Sequence, residues 1–321
     1  MRLTTLTVLL FAGTAGTAAA QGIYPVKSIL VVSPVQAGSA GDTTLRLVTQ
    51  KMSQNMGQQL QVENTTGAAG MIGAQRLARA LPDGYTIGGV SDSTVTYVYI
   101  LQKRTDFDPL TAFEPISLVS SSTWVLIAHP SLPVKSVREF VALAKGQPRS
   151  MDYASAGLGG SHHVVMEMFK AATGIRLNHV PYRGATQAAV DVQAGHVPVM
   201  FSALAVVLGP IQGGRLRALG IANDKRTPLL PHVPTVTESG VPGFSFSTWT
   251  GMFAPRGTPK SIIERLNAEV VKAVNDPAVR AKLQSLGGNP QSTTPEEVTD
   301  LIRSTTAKMV KVIQDAKITI E

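Results

Sequence analysis

Apolar positions along this chain follow two alternating rhythms: short unbroken runs, and longer stretches in which they recur every three or four residues. Residues 29–32 form an unbroken run of the kind found in strands covered on both faces of a parallel sheet. Leu45, Val48, Met52 and Met56 follow with the spacing of one helix face, and Gly57 falls where a left-handed cap ends a helix. Leu60 and Val62 alternate as a strand, "NTTGAAG" makes a glycine-rich turn, residues 71–80 read as helix, and "PDG" returns the chain to a strand over 85–90. The unit recurs further on. "SAGLGGS" opens a helix carrying Val165, Met168 and Ala172 that Gly174 closes, "PYRGA" opens another that Gly195 closes, and strands over 197–201 and 216–222 follow. A repeated order of strand, loop and helix predicts parallel sheets with helices on their faces.

The last third changes character, with helical patterns over 262–274, 277–286 and 295–316 and no sheet of its own. Trp124 and Trp249 fall where the chain is expected to cross between two domains. One domain is then 21–124 plus 248–321, and the other 125–247. The first twenty residues stand apart. Arg2, an apolar run over 6–12 and the tripeptide Ala18-Ala19-Ala20 read as a secretory signal peptide, with the mature chain starting at Gln21. Threonines and glycines interrupt this stretch, which falls short of the roughly 18 apolar residues of a membrane span.

Composition narrows the function. There is no cysteine, which removes disulfides, thiolate metal sites and cysteine nucleophiles, so stability rests on the apolar core. Lys and Arg outnumber Asp and Glu by 29 to 21, but the basic residues are scattered, never more than two in a row. That distribution argues against a nucleic-acid stripe and suits mild attraction for small anions.

In open α/β sheets, ligands gather at the carboxyl ends of strands, where the next helix presents unpaired N–H groups and a partial positive charge. "SPVQAGSAGD", "TTGAAG", "SAGLGGS" and "PYRGA" all sit at such places, with small residues that let a ligand approach the backbone. Ser39, Ser155 and Ser161 offer hydroxyl donors, and Arg183 offers a charge-assisted bond to a carboxylate. Plainer roles compete. Asp42 reads as the N-cap of a helix starting at Thr43, a better role for it than meeting an anion, and Ser161 reads as an N-cap before His162.

Enzyme signatures are missing. There is no G-x-S-x-G elbow, no phosphate-binding G-x-x-x-x-G-K-[ST] loop and no G-x-G-x-x-G opening the first helix. His162 and His163 are adjacent, so they face different sides of a helix and cannot chelate one metal. A Ser161/His163 hydrolase remains as an alternative that lacks an orienting acid at any recognisable spacing. Neither a metal nor a cofactor is expected.

The motifs in their order resemble the periplasmic solute-binding proteins of tripartite tricarboxylate transporters, also called Bug receptors, over nearly the whole mature chain. The resemblance runs through "YPVKSILVVSPVQAGSAGD", "VENTTGAAGMIGAQRLARALPDGYTI", "YASAGLGGSHHVVMEMF", "HVPYRGA", "GRLRALGIANDKRTPLLPHVPTVTESGVPGF" and "WTGMFAPRGTP". It implies an α/β, two-domain fold of the type II periplasmic-binding-protein kind, with a ligand cleft between the domains and no catalysis. It also implies that Ala37, Gly38, Ser39 and Asp42 of the first loop and Ser155, Gly157, Gly159 and Ser161 of the second hold a carboxylate. Ser91, Ser93 and Thr94 would then face the far end of the ligand. Gln36 in place of a frequent proline, Ala40 in place of glycine and "FSAL" at 201–204 without its usual aspartate depart from the pattern and bear on ligand identity. The expected partners are a small organic carboxylate (di-, tri- or aromatic, or an acidic amino acid) and the membrane permease subunits of a tripartite tricarboxylate transporter. The expected protein is a periplasmic monomer with no nucleic acid, and signalling through a membrane sensor is the alternative to transport.

Overall fold

A computed structural model describes residues 24–104, 107–147 and 149–320; the expected signal peptide lies outside the described residues. Two sheets organise it. The first has six strands in the order β11 (Gly288–Pro290), β4 (Phe113–Ser122), β10 (Thr248–Pro255), β3 (Thr86–Ser91), β1 (Ile29–Ser33) and β2 (Leu60–Asn64), and the second five in the order β7 (Leu177–Pro181), β6 (Met151–Ser155), β8 (Val199–Ala203), β5 (Trp124–Ala128) and β9 (Arg217–Ile221). In the first, β1 (Ile29–Ser33) lies between β2 (Leu60–Asn64) and β3 (Thr86–Ser91), parallel to both. The apolar run of β1 matches its place, since Ile29, Val31 and Val32 are fully buried.

Helix α1 (Ala40–Met56) and helix α2 (Met71–Ala78) cover opposite faces of this parallel part. The two adjacent glycines of β3 explain how closely they approach. A Cβ on Gly88 would lie 2.5 Å from Leu77 of α2, and one on Gly89 would lie 2.5 Å from Leu45 of α1. Side chains alternate across a strand, so each glycine makes room for one helix. The spacing of Leu45, Val48 and Met52 buries one face of α1, and Gly57 ends it at φ +67° with its N–H on Ser53 O.

The second sheet repeats the scheme. β6 (Met151–Ser155) is parallel to β7 (Leu177–Pro181) and to β8 (Val199–Ala203). Helix α3 (Val137–Gly146) precedes β6, and α4 (Ser161–Thr173), α5 (Ala185–Gln193) and α6 (Leu204–Gln212) follow β6, β7 and β8.

The expectation of parallel sheets holds only for these triplets, because both sheets are mixed. β10 (Thr248–Pro255) runs antiparallel between β3 and β4 (Phe113–Ser122). β5 (Trp124–Ala128) runs antiparallel to both β8 and β9 (Arg217–Ile221). A strand that enters from the other sheet needs no crossover helix, so it can pair antiparallel with its neighbour. The late segment therefore has sheet partners after all: β10 sits inside the first sheet, β11 (Gly288–Pro290) edges it, and α7 (Lys260–Asn275), α8 (Pro277–Ser285) and α9 (Pro295–Asp315) pack around it.

The chain passes from β4 to β5 through Thr123 alone and returns between 221 and 248. Thr123 ties both sides, donating to Gly287 O at 3.2 Å and accepting from Leu204 N at 2.8 Å. Asn223 clamps the same place, accepting from Trp124 N at 2.7 Å and donating to Ser122 O at 3.2 Å. Trp124 Nε1 donates to Thr248 Oγ1 at 2.8 Å, which joins the outgoing and returning crossings. Among the described residues no helix is long and apolar enough to cross a membrane.

Candidate functional site

The loops at the carboxyl ends of β1, β2, β3, β6 and β7 converge with the crossing strands on one cavity of about 620 Å³. Its first wall is the loop after β1. Here Ser39, not Asp42, is the N-cap of α1, which starts at Ala40 rather than Thr43; Ser39 Oγ accepts from Asp42 N at 3.3 Å. Asp42 reaches back instead, its Oδ2 accepting from Gly38 N at 2.9 Å. Arg46 Nε donates to the same oxygen at 3.0 Å, and Asn64 Nδ2 donates to Oδ1 at 2.8 Å. Burial raises the Asp42 pKa, but the bonds from Arg46, Asn64 and Gly38 outweigh it and hold the carboxyl below its usual range. Asp42 is 2% exposed, does not line the cavity and has its charge met by Arg46, so it braces the loop without confronting an anion.

The second wall is the glycine loop before α4. Gly160 is the N-cap and Ser161 the first helical residue, which corrects the capping role expected for Ser161. Ser161 Oγ instead accepts from Tyr97 OH at 3.2 Å, a bond from the first sheet's side of the cavity to the second's. Ser155 is fully buried behind the loop and shapes it: its Oγ accepts from Gly157 N at 3.1 Å and lies 2.5 Å from His179 Nε2. His179 is stacked between Tyr153 and His163 at 4.9 and 4.3 Å, and burial pushes its pKa down to about 4, so the ring is neutral.

His162 and His163 do face different sides. His162 lines the cavity with its ring 4.7 Å from that of Trp124, neutral because burial pushes its pKa down to about 4. His163 turns inward, where its Nδ1 accepts from Gly159 N at 3.1 Å and its Nε2 faces Glu167 at 3.8 Å. The nitrogen nearer the loop is thus engaged by Gly159, and Ser161 Oγ accepts from Tyr97, so the bonds of Ser161 and His163 run to other partners, while in the Ser155–His179 contact Ser155 is buried behind the loop. Among the described residues no group of His, Asp and Glu is placed to hold a metal ion.

Of the residues expected at the site, Ser39, Ser91, Ser93, Gly157, Ser161 and Arg183 line the cavity. Arg183 is exposed at its edge. Asp42, Thr94, Ser155 and Gly159 are buried behind these, with Thr94 Oγ1 3.1 Å from Ser91 Oγ, whereas Ala37 and Gly38 are exposed and do not line the cavity. Ser202, flagged with Gln36 as a departure, is buried outside the cavity, whereas Gln36 lines it.

The turn "TTGAAG" stands among the loops expected to meet a ligand, although none of its residues is among the expected site residues. Thr66 to Gly70 line the cavity, with Ala68 and Ala69 at φ +46° and +52°, a left-handed pair that alanine adopts only under constraint. Trp124 and Trp249 were expected at the crossings; that both line the cavity follows only from the folded geometry. No Asp or Glu is among the described residues that line it, and Arg183 is their one permanent cation. The amino-terminal turns of α1, α4 and α5 contribute the rest of the positive potential.

Two sheets with flanking helices, joined by crossing strands beside a donor-rich cavity, define a two-domain solute-binding protein. Residues 44–318 match the family model of the tripartite tricarboxylate transporter family receptor, TctC, and the chain belongs to that family. It is 31% identical over 309 residues to Protein BugT of Bordetella pertussis, covering 95% of each chain. It also resembles the R. palustris protein solved with adipate at TM-score 0.89 and 30% identity, covering 92% of this chain and 99% of that one. MatC of Rhodopseudomonas palustris, solved with bound malate, matches at TM-score 0.85 and 30% identity over 90% of this chain and 100% of that one.

Proposed function

We propose that this protein is a periplasmic receptor that captures a small organic carboxylate between its two domains and delivers it to the membrane permease subunits of a tripartite tricarboxylate transporter. The observation that carries the reading is the convergence of the α1 and α4 amino termini, one from each side, on a cavity whose lining includes hydroxyls and backbone donors and, among the described residues, no carboxylate. Such a cavity suits an anion. The similar proteins solved with adipate and malate support a carboxylate ligand. Residues 21–124 with 248–321, and 125–247, act as two bodies that close about the crossings at Thr123 and Thr248, and the receptor works as a monomer.

The test is thermal unfolding of protein stripped of bound solute, against a panel of mono-, di-, tri- and aromatic carboxylates and acidic amino acids. A true ligand at 100 times its dissociation constant stabilises the fold by about 2.7 kcal/mol, a rise in Tm of roughly 5 to 10 °C. The ligand is recovered unchanged after long incubation. A panel without any responder, or turnover of a responder, overturns the reading.

A further inference from the structure

One contributor to the cavity comes from neither gripping loop. After α9, Lys317 takes a left-handed conformation at φ +51° and turns the chain. Ile318 anchors the turn: its N–H donates to Ile313 O at 3.0 Å and its side chain is 5% exposed. Ile320, half-buried, then lines the cavity. A Cβ on Gly159 would lie 3.2 Å from Ile320 Cγ2 and 3.8 Å from Leu101 Cδ1. α9 packs against β4 and the helical segment Thr94–Val98 on the side of the first sheet, whereas Gly159 belongs to the glycine loop on the side of the second. The segment after α9 therefore spans from one domain to the ligand-facing loop of the other.

This contact belongs to the apolar part of the cavity, which also includes Trp124 and Trp249. Hydroxyls and helix amino termini mark the gripping loops, whereas beside Gly159 stand Ile320 and Leu101, and Ile320 joins Leu158 and Ala69 in the apolar part of the lining. A charged group pressed against these side chains would lose its hydration with nothing to replace it. An apolar part of the ligand loses nothing there and gains contact with a branched side chain.

We infer that Ile320 is a specificity-determining residue, which closes the cavity beside Gly159 and limits how long an apolar ligand body fits there. This inference rests on the carboxylate-receptor reading above. Ile320→Ala removes three carbon atoms from the wall, and Ile320→Phe adds bulk in the same place.

The experiment titrates wild type, Ile320→Ala, Ile320→Phe and Ile320→Leu by calorimetry with two homologous series of linear carboxylates, butanoate to decanoate and succinate to sebacate. Melting of the ligand-free proteins is measured alongside and is expected to stay within a degree or two of wild type, because Ile320 is at the periphery of the core. Ile320→Ala moves the preferred length upward, about tenfold in relative affinity for each methylene accommodated. Ile320→Phe moves it downward, and Ile320→Leu keeps the wild-type order. An unchanged order in both the alanine and phenylalanine variants overturns the inference, as does equal weakening of every ligand by Ile320→Ala. Wild-type protein that binds no member of either series overturns the inference alone, whereas wild type that responds to no carboxylate in the wider panel above overturns the carboxylate-receptor reading.

Discussion

Gly184 meets Gln36 from the opposite side of the cleft, and this contact permits a sharp test of domain closure. Gly184 has φ −176° and ψ 165°, an extended conformation open to any residue, so alanine there carries no backbone strain. Its added Cβ would lie 1.7 Å from Gln36 Oε1, 2.4 Å from Cδ and 3.2 Å from Cβ. Gln36 is on the loop after β1, so under the proposed closure the clash arises as the two sides come together. Gly184→Ala should leave the ligand-free protein as stable as wild type or about 0.4 to 1 kcal/mol more so, since alanine restricts the unfolded chain. Binding should weaken, because closure then displaces Gln36 at an overpacking cost of about 1 to 3 kcal/mol, or about 5- to 140-fold in Kd. Calorimetry with a carboxylate that stabilises wild type reads this directly. Adding Gln36→Ala to Gly184→Ala should remove most of the loss, giving strong coupling in a double-mutant cycle. An unchanged Kd in Gly184→Ala, or a double variant no better than the single, would refute the cross-cleft account.

Three further outcomes follow from the same geometry. Tyr97→Phe deletes the hydroxyl that bonds Ser161 across the cleft, and should weaken ligand binding by about 0.5 to 1.5 kcal/mol, or 2- to 12-fold, with ligand-free Tm nearly unchanged; a Kd equal to wild type counts against that bridge. Ser39→Ala removes the α1 cap and should lower stability by about 1 kcal/mol in urea unfolding, while an unaltered midpoint would show the cap to be replaceable. Burial pushes Asp92 up to about 8 and His162 and His179 down to about 4. Below the ordinary histidine value of 6.5 the unfolded chain takes up protons that the buried rings refuse, so stability falls as pH drops toward 4. Asp92 acts in the opposite sense, because from about 4 to 8 the folded protein keeps a proton that the unfolded chain has released. Two histidines outweigh one acid in the lower range and Asp92 acts alone in the upper. Tm should therefore peak near pH 6.5 and decline toward pH 8, at up to about 1.4 kcal/mol per pH unit. Asp92→Asn should flatten the alkaline decline, and persistence of that decline in the variant would rule out Asp92 as its source.

Local chemistry was legible in the residues because each signal lies within a few positions of its effect. The apolar run of β1, the helical spacing of Leu45, Val48 and Met52, and the terminating glycines Gly57 and Gly174 all appear where their patterns place them. The serine- and glycine-rich stretches marked the anion-gripping loops for the same reason, since the sharp turn and the free N–H groups need only small residues before a helix. Even the errors at Asp42 and Ser161 were small, a helix starting a few residues earlier in one case and a cap displaced by one position in the other.

What joins distant parts of the chain had no such signal. A period of two or 3.6 residues states which face is buried but not which strand lies beside it, so nothing in residues 248–255 announced an antiparallel place between β3 and β4. The same limit hid Gln36 against Gly184, Tyr97 on Ser161 and Ile320 beside Gly159, pairs of which even the nearest in sequence is 64 residues apart. The sequence by itself determined the strands, the helices, their caps and the donor chemistry of the loops, because short-range sterics and hydrogen bonding decide those. Strand order, the direction of β5 and β10 and the closing contacts of the cleft were decided only by the tertiary structure, where burying the apolar faces of two sheets at once selects one arrangement.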